Sequence, residues 1–119
     1  MKVILLLDRI QCCHNTTLQV LKNAPALDSL IVRDRKDAAD ILESLFRICG
    51  DLRKLFLENC CLGKNGTDLL ANIVDLYPDL EVLSLDNCHS LTSTGYRLIT
   101  RLKKLSELNL SKCQVHYVY

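Results

Sequence analysis

Four segments of this chain carry one pattern. Leu27-Asp-Ser-Leu30-Ile-Val32, Leu52-Arg-Lys-Leu55-Phe-Leu57, Leu80-Glu-Val-Leu83-Ser-Leu85 and Leu105-Ser-Glu-Leu108-Asn-Leu110 all read L-x-x-L-x-(L/V), and Met1-Lys-Val-Ile4-Leu-Leu6 is a looser copy at the start. Their first residues are separated by 26, 25, 28 and 25 residues. Aliphatic residues at alternate positions describe a short strand with one buried face. Recurrence at this interval marks a unit that buries its apolar side by stacking on its neighbours. No other feature of the sequence restricts the fold so strongly.

Between these strands the apolar spacing changes to that of a helix. Leu69, Leu70, Ile73, Val74 and Leu76 recur three and four apart, after Asn65 or Thr67 as a cap and before Pro78 as a stop. Ile41, Leu42, Leu45, Phe46 and Ile48 form a second stripe, opened at Lys36 or Asp37 and closed by Gly50. Thr92-Ser-Thr-Gly95 opens a third, with Tyr96, Leu98, Ile99 and Leu102 on its buried side. Asn15-Thr-Thr17, Leu18, Leu21 and Pro25 give a fourth. The expectation is one domain over 1–119, an α/β solenoid of about four and a half strand–helix units beginning near 1, 27, 52, 80 and 105. Neither end carries the polar face a terminal unit needs, so the segment is expected to belong to a longer stack.

Cys60, Cys88 and Cys113 each stand eight residues after the first Leu of their unit. A small side chain with a weak donor fits a turn there, pointing inward at a neighbouring carbonyl. These three thiols are therefore read as structural. Arg35 and Arg9 occupy the matching places in the two earlier units.

Residues 80–99, L-E-V-L-S-L-D-N-C-H-S-L-T-S-T-G-Y-R-L-I, resemble the ribonuclease-inhibitor-like, cysteine-containing leucine-rich repeats. Such repeats occur in F-box leucine-rich-repeat, PRAME-type and ZYG11-type proteins and in NOD-like receptors. The likeness is good over 52–113 and loose over 1–51. It implies a right-handed leucine-rich-repeat arc with a parallel sheet on the concave side and helices on the convex side. It also implies a non-catalytic protein-binding module using the concave sheet face, within a ubiquitin-ligase substrate receptor on the family's analogy. The alternative is a structural or autoregulatory segment of a larger protein such as a NOD-like receptor, with no partner site of its own. No F-box, elongin-binding, nucleotide-binding or RING segment is present in the sequence.

Strand alternation assigns the side chains of the expected concave face. One column holds Leu5, Ile31, Phe56, Ser84 and Asn109; the next holds Leu7, Arg33, Glu58, Asp86 and Ser111; a third holds Val3, Ser29, Lys54, Val82 and Glu107. The protein-binding residues expected from these columns are Leu5, Ile31, Arg33, Phe56, Glu58, Ser84, Asp86 and Asn109. Phe56 is the anchor candidate.

Other chemistries find little support. A net charge of +1 gives no general field for nucleic acid or an anionic membrane. No apolar run has the length of a membrane span. Seven cysteines, an odd number, suit a reducing compartment, hence cytoplasm or nucleus. Cys12-Cys13-His14, Cys60-Cys61 and Cys88-His89 lack C-x-x-C spacing, so no metal is expected. His14, His89 and His116 lie on separate turns, and no cysteine–histidine catalytic pair, enzyme activity or cofactor is expected. The partner expected is a protein, reached together with ubiquitin-ligase components through flanking sequence.

Overall fold

The structure, a computed structural model, describes residues 3–7, 19, 22, 27–88 and 91–113. The recurring leucine segments form strands, and the intervals between them return the chain for parallel pairing. Among the described residues, the elements are β1 (Val3–Leu7), β2 (Leu27–Arg33), α1 (Ala38–Ile48), β3 (Lys54–Glu58), α2 (Gly66–Leu76), β4 (Val82–Ser84), α3 (Ser93–Leu98), a 3₁₀ turn over Ile99–Arg101, and β5 (Glu107–Asn109). The five strands make one parallel sheet in the order β1-β2-β3-β4-β5. Leu30, Leu55, Leu83 and Leu108 are aligned across β2 to β5. The first three are fully buried and meet the helices in a single core with Ile41, Leu42, Leu45, Leu69, Leu70 and Ile73.

Each helix follows from its stripe and its ends. Along α1, Ala38, Ile41, Leu42 and Leu45 are buried at helical spacing, with Asp40 in the first turn and Arg47 in the last, the arrangement the helix dipole favours. Asp37 precedes this helix but makes no cap bond, because its carboxylate holds Arg35 through two bonds of 2.8 Å. Thr92 does cap α3, accepting from the Gly95 amide at 3.3 Å. Tyr77, just past α2, is buried and donates its hydroxyl to the Cys49 carbonyl at 3.0 Å, which ties α2 to the end of α1. Leu76 departs from its expected place in the buried stripe and is exposed.

The turn after each strand from β2 onward holds a residue with positive φ: Asp34 (53°), Asn59 (51°), Asn87 (54°) and Lys112 (61°). Asp and Asn tolerate this left-handed conformation better than other non-glycine residues. Their side chains also join up, Asn59 donating to Asp34 at 2.7 Å and Asn87 donating to Asn59 at 2.8 Å. The sequence carries this signal seven residues after each first Leu, one place before the cysteines.

Two expectations are corrected here. The first is the leucine-rich-repeat solenoid with its right-handed arc and concave sheet. The Cα radius of gyration is 13.5 Å, the value for a compact globule of this length, about 13.5 Å from size scaling. The sheet is not curled into an arc. Four interstrand steps of about 4.8 Å advance the stack by only about 19 Å. Helix and sheet layers pack over that short distance into a compact α/β domain before any curvature accumulates.

The second correction is the register of β1. Leu5 aligns with Leu30 and Leu7 with Val32, while Leu6 aligns with Ile31 and Ile4 with Ser29, after a bulge between Val3 and Ile4. Leu5 therefore packs against the core rather than in the Ile31–Phe56 column, and Ile4 and Leu6 are exposed in its place. A one-residue slip moves every side chain of a strand to the opposite face.

Candidate functional site at the open sheet edge

The face of the sheet away from the helices carries most of the residues expected to bind. Ile31, Phe56, Ser84 and Asn109 lie side by side by register. Ile31 and Phe56 are half-buried, Ser84 is buried and Asn109 is exposed. Arg33 and Glu58 are aligned across β2 and β3 and form an ion pair of 2.7 Å. Asp86 lies beyond β4, where its backbone carbonyl accepts from the Asn59 amide at 2.8 Å. The Asn109 side chain accepts from the Ser111 amide at 2.9 Å. Leu5 is absent from this group because the register of β1 packs it against the core.

A depression of about 270 Å³ crosses β3 to β5 and is lined by Phe56, Glu58, Val82, Leu83, Ser84, Glu107, Leu108 and Asn109. In the column read from the sequence the apolar residues, Leu5, Ile31 and Phe56, stand in the opposite, N-terminal half of the sheet. Phe56 belongs to both accounts, but the lining continues toward β5 and not toward β1. The volume falls below the range of about 300–1,000 Å³ usual for small-molecule pockets. A single side chain of a partner is a better match in size.

All three residues of β5 line this depression, and all three are exposed. Leu108 retains 45% of its exposure, whereas the aligned Leu30, Leu55 and Leu83 retain none. The difference is positional, since each of those three has a strand on both sides and Leu108, among the described residues, has β4 alone. Glu107 donates its amide to Glu81, and the carbonyls of Asn109 and Ser111 accept from Leu85 and Asn87 at 2.8 Å. In a parallel strand the amide and carbonyl of one residue point to the same side. Glu107, Asn109 and Ser111 thus face β4, and the amide and carbonyl of Leu108 and the amide of Leu110 face outward, while the Leu110 carbonyl accepts from the Cys113 amide at 3.3 Å.

The turn thiols occupy a layer beneath this surface. Cys60 donates to the Val32 carbonyl at 3.3 Å, Cys88 to the Leu57 carbonyl at 3.2 Å and Cys113 to the Leu85 carbonyl at 2.7 Å. Each thiol reaches back to the preceding strand. Burial raises the pKa of Cys60 and pushes Cys88 up to about 12. A thiol held protonated in this way is a poor nucleophile and a poor metal ligand at neutral pH. Arg35, at the position matching these cysteines, is buried and held by Asp37.

Among the described residues no group of three or more His, Cys, Asp or Glu is placed to hold a metal ion. Among them, too, no helix is long and apolar enough to cross a membrane. Cys12, Cys13, His14, His89 and His116 lie outside the described residues, as do Arg9, the Asn15–Thr17 cap, Leu18, Leu21 and Pro25.

No family model, curated protein or solved structure matches this chain. The resemblance to ribonuclease-inhibitor-like repeats is corrected accordingly, and with it the concave interaction face, the ubiquitin-ligase receptor role and the NOD-like-receptor alternative. The resemblance implied those functions together with an arc, and the compact body and uncurled sheet do not form that arc. What stands is a compact α/β domain whose parallel sheet carries an exposed strand at one edge.

Proposed function

We propose that this domain is a non-catalytic acceptor of an extended protein segment, which adds beside β5 as a sixth parallel strand. The observation that carries the reading is the exposure of Leu108, whose aligned counterparts in β2, β3 and β4 are fully buried. The outward amide and carbonyl of Leu108 and the outward amide of Leu110 supply the hydrogen bonds of strand addition, and the exposed Leu108 with the half-buried Leu110 just past the strand supplies its hydrophobic component. The raised thiol pKa values support a structural rather than a chemical role for Cys60 and Cys88.

Titration of the ¹⁵N-labelled protein with a short peptide of alternating leucine and threonine tests this reading. Saturable shifts are expected at the amides of Leu108 and Leu110. They are expected to vanish in Leu108→Pro, because proline removes an outward amide that the β4 ladder does not use. A circular-dichroism melt of that variant establishes that it is folded. Shifts confined to the β1 side of the sheet, or none at millimolar peptide, would contradict the reading.

A further inference from the structure

The charges flanking β5 specify more than an unpaired edge does. Glu107 begins the strand and points to the face opposite the core; Lys112 occupies the positive-φ turn five residues later. Both are exposed. Resting on the strand-acceptor reading above, we propose that the segment taken up beside β5 has the form (Lys/Arg)-Leu-x-Leu-x-Asp, parallel to β5, with its cation opposite Glu107 and its carboxylate opposite Lys112.

The register of the sheet generates this code. Each strand from β3 to β5 aligns residue for residue with the one before: Lys54 with Val82 and Val82 with Glu107, Leu55 with Leu83 and Leu83 with Leu108. A sixth strand in the same register sets its first residue against Glu107, its second against Leu108 and its fourth against Leu110. Aliphatic side chains at the second and fourth places cover Leu108 and Leu110 from the side that holds no strand among the described residues.

The first place lies on the open face beside a carboxylate. This sheet already pairs opposite charges across aligned positions, Arg33 with Glu58 at 2.7 Å, so a Lys or Arg there repeats a contact the fold makes elsewhere. The sixth place meets the end of the turn ladder. Asp34, Asn59 and Asn87 bond in sequence from strand to strand, and Lys112 stands next in that row. An ammonium offers only donors, so the residue beyond it must accept, and Asp both accepts and tolerates positive φ.

Two opposite charges five residues apart also fix direction. A segment entering antiparallel brings its carboxylate to Glu107 and its cation to Lys112, and both contacts repel. The domain is thereby selective for chain orientation as well as for composition.

The test uses the full chain and two peptides, Lys-Leu-Thr-Leu-Thr-Asp and its charge-exchanged counterpart Glu-Leu-Thr-Leu-Thr-Lys, each acetylated and amidated at its ends. Binding is read from the amides of Leu108 and Leu110. The wild type is expected to prefer the first peptide by about tenfold at low salt, and the double variant Glu107→Lys/Lys112→Glu is expected to reverse that preference. Equal binding of the two peptides by the wild type would overturn the charge code and leave the strand-acceptor reading standing. Binding of neither would overturn both. Concentration-dependent shifts of the same amides without peptide would assign the edge to a second copy of the chain and overturn the code.

Discussion

At the scale of single residues, the turn thiols and the polar turns share the task of closing each strand. Cys60, Cys88 and Cys113 satisfy carbonyls of the preceding strand from below, while Asp34, Asn59 and Asn87 bond to one another along the turns. Burial raises the pKa of Cys88 from 9.0 to about 12, and it shifts Cys60, Tyr77 and Tyr96 the same way. In the unfolded chain the Cys88 thiol ionises near its ordinary value; in the folded one it keeps its proton. Between those values the unfolded state binds fewer protons, so rising pH favours it. Stability is expected to be full below about pH 9 and to fall progressively toward about pH 12. Urea melts at a series of pH values in that window check this, and Cys88→Ala should show a shallower decline. A stability independent of pH there would argue that Cys88 is not buried.

At the scale of elements, β1 shows what a local pattern settles and what it leaves open. Alternating aliphatics marked Met1–Leu6 as strand, and a strand is present at Val3–Leu7. Met1–Leu7 is apolar at nearly every place, so the pattern does not distinguish its two faces. The bulge between Val3 and Ile4 decides the matter, and it turns Leu5 inward. In β3 the polar Lys54 and Glu58 flank the leucines, and the register expected for Leu55 and Phe56 is the one observed. Leu5→Asp is accordingly expected to cost about 2–3 kcal/mol in urea unfolding and Leu6→Asp less than about 1 kcal/mol. The opposite order would restore the register read from the sequence. Leu76 teaches a similar lesson: it extends the helical spacing of α2 by one place, but the helix ends there and the buried position passes to Tyr77.

At the scale of the whole molecule, the parallel α/β class was legible because the spacing of strand and helix patterns is a local property. The overall shape was not, because curvature accumulates only over many strands and the sheet described has five. The position of the candidate site was only partly legible. Phe56 was identified from its column, but the depression it borders opens toward β5, whose exposure depends on which strands lie beside it.

Strand addition requires β5 to be an open edge, and amide hydrogen exchange of the free monomer tests that most directly. The amides of Leu108 and Leu110 are expected to exchange at least about a hundredfold faster than those of Leu55 and Leu83. Protection of Leu108 and Leu110 equal to that of Leu55 and Leu83 in the free monomer would contradict it.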